Sequence, residues 1–232
     1  MKKRQYWVLF YGLTIVCTFL GILLGNRTIT VISEGLPLAR RNCIIIDAGH
    51  GGEDGGATSC TGKLESGYNL EIALRLNDLF HLLGYETYMI RTEDVSVYTK
   101  GETIAQKKVS DLKERVRICN KREGAVLLSI HQNNFSDNRY SGAQVFYANT
   151  EGSEILAKQM QQNLKSVLNP GSNREAKKAS NVYLMEHIQC TGVLIECGFL
   201  SNVQEEANLR DAAYQKQLCC VIASTLCNFL DG

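Results

Sequence analysis

The chain has no surplus of either charge: 25 Lys and Arg stand against 24 Asp and Glu, a formal net charge of +1 over 232 residues. The two signs are interspersed rather than gathered into a basic stripe, so electrostatics gives no ground for a nucleic-acid partner. Among nine cysteines there is no Cys-x-x-Cys pair, so a thiolate zinc site has no support from spacing. The count is odd. Cys17 lies in an apolar segment, Cys43 and Cys197 in strand-like runs, and Cys119, Cys219, Cys220 and Cys227 in helical patterns, so they read as small apolar residues rather than a disulfide framework. There is no G-x-G-x-x-G in register and no Gly-Lys-Ser or Gly-Lys-Thr, which argues against a nucleotide loop. The absence of G-x-S-x-G leaves a serine nucleophile unsupported. No internal repeat or low-complexity segment is visible.

What the chain does have begins at its N-terminus. Residues 6–25 carry no charged side chain, a run of about 20 residues that matches the thickness of a bilayer core. Lys2, Lys3 and Arg4 precede it, which predicts a cytoplasmic start and an exported body by the positive-inside rule. A cleaved signal peptide is the competing reading, but no convincing small-x-small site follows the run. The expected organisation is an anchor at residues 1–25, a linker at 26–41 and one domain at 42–232, a length that suits a single core.

Within that domain, two apolar runs lack period-two alternation and suit strands covered on both faces. They are Cys43-Ile44-Ile45-Ile46, leading through Asp47 to His50, and Ala125-Val126-Leu127-Leu128, leading to His131. Helical spacing predicts a helix over 67–83, then a strand over 85–90, a long surface loop over 92–110 and a short amphipathic helix through Leu112, Val116 and Cys119. Further on come a strand over 142–147, a helix from Leu156 to Val167, a polar segment over 169–180, short strands over 182–184 and 192–196, and a last helix with Leu218, Val221, Ile222 and Leu226 on its buried face. The expected fold class is α/β, a three-layer αβα domain with a mostly parallel central sheet, preceded by one transmembrane helix.

Parallel strands deliver their next residues to the carboxyl edge of the sheet, where open α/β folds place ligands. Two histidines at such ends, one followed by Gly51-Gly52-Glu53-Asp54-Gly55-Gly56, point to a metal pair. Each alone also reads as a sheet-edge hydrogen bonder. A catalytic zinc takes three protein ligands from His and carboxylates and leaves a position for water. Glu65, at the start of the helix after the glycine loop, is the best-placed third donor. Glu53 and Asp54 are nearer His50, but their flanking glycines favour a solvated turn. Asp47 either orients His50 or caps the following turn. Glu196 closes the run Gly192-Val193-Leu194-Ile195, where a carboxylate is costly unless paired or working; its roles are a salt bridge, a helix cap or catalysis. His81 and His187 read as structural.

Taken together, Asp47-Ala48-Gly49-His50-Gly51-Gly52 with Asp54-Gly55-Gly56-Ala57, Glu65 with Asn69-Leu70, Arg91-Thr92, Arg115-Val116, Ser129-Ile130-His131 with Asn133, and Glu196 with Gly198-Phe199-Leu200-Ser201-Asn202 resemble the zinc-dependent N-acetylmuramoyl-L-alanine amidases of the amidase-3 family. The match runs over residues 43–230. The resemblance implies Zn2+ held by His50, Glu65 and His131, Glu196 as catalytic acid/base, and peptidoglycan as substrate. Asp111-Leu112-Lys113-Glu114-Arg115-Val116, Ser141-Gly142-Ala143-Gln144 and Tyr183-Leu184-Met185 are similar to the germination-specific branch of spore formers. That branch implies stem-peptide removal during cortex maturation, with the domain facing the extracytoplasmic cortex space and an activating protein partner as a further possibility. The alternatives are a vegetative autolysin of the same chemistry and a non-catalytic wall-binding protein with structural zinc.

Overall fold

Central strands buried on both faces need apolar side chains in both directions, and β1 (Arg40–Ala48) meets that demand with Ile44, Ile45 and Ile46, all fully buried. In this computed structural model, which describes residues 40–231, Ile44 and Ile46 enter one core and Ile45 the other. The expected membrane span and most of the expected linker lie outside the described residues. Among the described residues no helix is long and apolar enough to cross a membrane.

The remaining elements follow as α1 (Glu65–Leu82), β2 (Tyr85–Met89), α2 (Ile104–Asn120), β3 (Val126–Asn133), β4 (Gln144–Tyr147), α3 (Ser153–Val167), β5 (Lys177–Lys178), α4 (Tyr183–His187), β6 (Thr191–Phe199), α5 (Val203–Arg210) and α6 (Ala212–Asp231). The six strands lie in the order β2-β1-β3-β6-β4-β5. Neighbours run parallel except β4 and β6. One face packs Ile46, Leu128, Ile130 and Ile195 against α1, α3 and α6 through Ile72, Leu76, Met160 and Ile222. The other packs Ile45, Leu127 and Leu194 against α2 and α4 through Ile118, Leu184 and Met185. Helices on both faces of a mostly parallel sheet give the expected αβα layering.

Several boundaries differ from the sequence expectations. The last seven residues of the expected loop over 92–110 are helix. Thr103 and Gln106 form a reciprocal capping box that starts α2 at Ile104, and its first turns are exposed, so they carry no apolar stripe to read. The expected strand at 182–184 is the single-turn α4, because Leu184 and Met185 both reach the second core. The polar segment over 169–180 contributes the two-residue strand β5, and α5 begins where the Asn202 side chain accepts from the backbone of Gln204 and Glu205. β6 runs three residues past Glu196. All described cysteines are free; Cys119, Cys197 and Cys219 are buried, whereas Cys60 and Cys220 are exposed.

Two arginines fix how β1 leaves the sheet. Arg115 Nη1 donates to Asp47 Oδ1 and, at 3.0 Å, to Ala48 O, while its Nε reaches Asp111 Oδ2 at 2.6 Å. Arg91 Nε donates to Ala48 O at 2.8 Å. Burial on its own pushes the Asp47 carboxyl up, but the Arg115 guanidinium, the His131 imidazole and the Ser129 hydroxyl outweigh it and hold Asp47 below the usual carboxylate range. Removing one member of such a buried pair strands the other charge, so Asp47→Asn or Arg115→Met is expected to cost about 3–5 kcal/mol in chemical denaturation. Because the folded-state pKa of Asp47 is depressed, its contribution is complete above the unfolded value of about 3.9 and disappears as pH falls through the lower folded value. A denaturation series from pH 7 downward checks both statements, and for Asp47→Asn this share of the acid loss should be absent.

Candidate metal and catalytic centre

Three elements bring three donors to one point. After β1 the chain passes through Gly49 to His50, whose φ of 60° lies in the left-handed region. A non-glycine residue adopts that conformation at a cost of order 1–3 kcal/mol, and it persists where the surroundings impose it. Here the surroundings are guanidinium groups: Arg115 Nη2 donates to His50 O at 2.8 Å and Arg91 Nη2 to Gly49 O at 3.0 Å. Glu65 is the first residue of α1, and its backbone N–H donates to Ala57 O at 2.8 Å. The positive end of the helix favours its ionised form. His131 lies within β3, two residues before the strand ends.

His50 Nε2 is 3.3 Å from Glu65 Oε2, and His131 Nδ1 is 3.1 Å from Glu65 Oε1. The imidazole centroids are 5.0 Å apart, edge to face. One donor atom from each of the three residues lies within 4.8 Å of the others. Two glycines make the convergence possible. A Cβ on Gly49 would overlap the His131 ring, and one on Gly56, with φ 67°, would come within 2.6 Å of Glu65 Oε2 and 2.7 Å of His50 Cδ2.

Glu65 does not stand alone. Ala57 N donates to Oε2 at 3.0 Å, and Asn69 Nδ2 and Gln132 N each donate to Oε1 at 3.2 Å. Asn69 is itself fixed, donating to Gly49 O at 3.1 Å and accepting from Gln132 Nε2 at 3.3 Å. Burial opposes ionisation of Glu65, but its bonds to His131 and His50 prevail and hold the carboxyl well below its ordinary value. Burial likewise lowers the His50 pKa, and the Glu65 and Asp54 carboxylates more than reverse it. Asp54 Oδ2 faces His50 Nδ1 at 3.0 Å and Lys108 Nζ at 3.1 Å. A carboxylate on Nδ1 takes the proton-bearing side of the ring and leaves the Nε2 lone pair aimed at Glu65 and His131.

Glu196 is the register partner of His131 on β6. Its Oε2 is buried with no hydrogen-bond partner. Burial pushes its carboxyl up to about 7; nearby His131 and His50 lower it and the Glu65 charge raises it. Beside these groups a recess of about 100 Å³ is lined by His50, His131, Lys108, Arg115 and Tyr183. The two carboxylates are therefore set apart by environment, one held ionised and one poised near neutrality, the division that separates a ligand from a proton carrier.

The structure brings together His50, Glu65 and His131 as expected and places Glu196 beside them. Asp47 does not orient His50: it is engaged by Arg115 and by Ser129 Oγ at 2.7 Å. The orienting carboxylate is Asp54, which the flanking glycines made look like part of a solvated turn. Glu53 pairs with Lys107 at 2.6 Å on the surface. His81 meets Thr87 Oγ1 at 2.6 Å and His187 Nδ1 meets Tyr183 O at 2.8 Å, both structural contacts. The supporting roles of Arg115, Asn69 and Gln132 were not read from the sequence. Arg115 and Asn69 left a signal nonetheless, as polar residues on apolar stripes: Arg115 between Leu112 and Cys119, and Asn69 one turn before Ile72 and Ala73.

The model of the N-acetylmuramoyl-L-alanine amidase family matches residues 44–228. The germination-specific N-acetylmuramoyl-L-alanine amidase of Bacillus subtilis is 34% identical over 94% of this chain and 92% of its own length. Among solved structures, the CwlD amidase of Clostridioides difficile, in complex with the GerS lipoprotein, superimposes with a TM-score of 0.78 at 36% identity, covering 82% of this chain and 99% of that one. An N-acetylmuramoyl-L-alanine amidase of Clostridium difficile 630 gives 0.71 at 30% identity over 82% and 97%. A family match over nearly all of the described domain, on a fold that converges two imidazoles and a carboxylate, shows that the chain belongs to the N-acetylmuramoyl-L-alanine amidase family and carries that enzyme activity.

Proposed function

We propose that this amidase is zinc-dependent, that His50, Glu65 and His131 hold the ion, and that Glu196 is its acid/base in the maturation of spore cortex peptidoglycan. The observation that carries the metal assignment is the convergence of the three donors within 4.8 Å, backed by a buried carboxyl oxygen without a partner on Glu196. Two imidazoles and one carboxylate are the donor set of catalytic zinc. When bound, zinc supplies a Lewis acid for the lactyl carbonyl and water whose pKa falls from about 15.7 toward roughly 7.

The chain's own residues do the rest. Glu196, raised toward neutrality, accepts the proton of the attacking water and returns it to the departing L-alanine nitrogen, which cannot leave as an anion. Asp54 holds the His50 tautomer, and Asn69 and Gln132 hold the Glu65 carboxylate. Hydrolysis adds water across the lactyl–alanine amide and frees an alanine amino group.

The cortex assignment is supported by similarity to the germination-specific amidase, with which this chain aligns over almost its full length. An activating partner is supported by the lipoprotein complex of the Clostridioides relative. The uncharged run at residues 6–25 supports a membrane anchor that places the domain on the extracytoplasmic side, facing the cortex. A deletion strain is then expected to make spores whose cortex lacks muramic lactam, measured by muropeptide analysis, with vegetative walls unchanged.

Two sets of variants test the centre. Glu196→Gln should keep its zinc, counted by elemental analysis, and lose turnover by about 10²–10⁴-fold, whereas His131→Ala should lose both metal and activity. Wild-type turnover by Glu196→Gln would refute the acid/base role. Asn69→Leu, which removes one of the donors to Glu65 Oε1, should weaken zinc affinity about 10–100-fold in competition with a chelator, with catalysis recovering at saturating zinc.

A further inference from the structure

We propose a saccharide-binding platform formed by Phe135 and Tyr140 at the carboxyl edge of the sheet, which takes pyranose rings of the glycan strand beside the cleaved residue. The inference rests on the amidase reading for its substrate and adds a site outside the donor cluster. Phe135 and Tyr140 are 52% and 47% exposed, among the largest apolar rings left to solvent in the described residues. They are not loose. Their centroids lie 4.9 Å apart, edge to face, and Tyr140 stacks at 6.2 Å on Phe199, which is buried and covered by the Arg174 guanidinium at 4.7 Å.

The loop that carries them is tied down along its length. Phe135 N donates to Ser201 Oγ at 3.2 Å, and Asn202 Nδ2 donates to Asn138 O at 3.0 Å and Tyr140 O at 3.3 Å. Arg174 Nε donates to Ser141 O at 2.8 Å, and Gly142 N donates to Glu205 Oε1 at 2.7 Å. A protein that pins a loop at so many points while leaving two rings bare holds a pre-organised surface.

Position and chemistry select the occupant. Phe135 lies four residues beyond His131, in the loop that leaves β3 after Asn133, and Phe199 closes β6 three residues beyond Glu196, where it pairs with Asn133. Four residues of fully extended chain span at most about 14 Å, so Phe135 lies within that reach of His131 along the chain, a span comparable with the sugars adjoining the one whose amide is cut. The face of an aminosugar ring presents C–H bonds of partial positive charge, which complement the negative face of an aromatic ring. Its edge presents hydroxyl and acetamido groups, and the same loop carries exposed amides at Asn138 and at Asn134, whose Nδ2 also reaches Thr58 O at 3.4 Å.

The test uses the full-length chain with a tetramer of N-acetylglucosamine, which lacks any stem peptide, and follows aromatic proton shifts by NMR. The oligosaccharide should shift Phe135 and Tyr140 signals in the wild-type protein and leave Phe135→Ala/Tyr140→Ala without saturable binding. In parallel, the double variant should lower kcat/KM on intact glycan strands about tenfold more than on a single muramoyl peptide, through KM. Equal losses on both substrates, or no shift with the tetramer, overturn the platform. So does a double variant that binds the tetramer normally but loses a protein partner. Failure of the wild type to cleave either substrate would instead count against the amidase reading, because the NMR arm involves no hydrolysis.

Discussion

The centre depends on two buried guanidinium groups gripping three consecutive carbonyls. Arg91 and Arg115 stay protonated at physiological pH and offer fixed forks of donors, so they impose one path on Ala48, Gly49 and His50. The left-handed backbone at His50 exists because that path is enforced. Asp47 neutralises Arg115 from within the sheet, and Asp111 does so from one turn earlier in its helix. Without this frame the first imidazole would have no reason to face the other two donors.

A second constraint is the division of labour among carboxylates that share one small region. Glu65 receives three N–H donors in addition to two imidazoles and stays ionised. Glu196 receives none on its buried oxygen and is driven toward the neutral form. The same residue type is thus held ionised in one place and pushed toward neutrality in the other, and hydrogen bonding makes the difference rather than sequence context.

Much of this was legible in the chain itself. The uninterrupted aliphatic runs before His50 and His131 announced parallel strands, and the helical spacing of Ile72, Leu76 and Phe80 announced α1, because burial on one face leaves a periodic trace. Topology puts the two histidines at one edge and makes Glu65 a candidate to join them, and the family resemblance makes it a ligand. What stayed hidden has a common cause: it depends on contacts between residues distant in the chain. Asp54 looks solvated until His50 folds back onto it, and Asp47 reads equally as a partner of His50 or a turn cap until Arg115 arrives from a helix far along the sequence. The start of α2 leaves no stripe in the sequence, because its exposed first turn is marked only by a capping box.

The three donors belong to a loop, a helix terminus and a strand that meet only once the sheet is assembled. Any ion they take up therefore acts as a clasp across the native topology, and its binding free energy adds to folding free energy. The coupling is reciprocal. Occupancy and melting temperature should move together, and whatever frays the first turn of α1 will also let the clasp open.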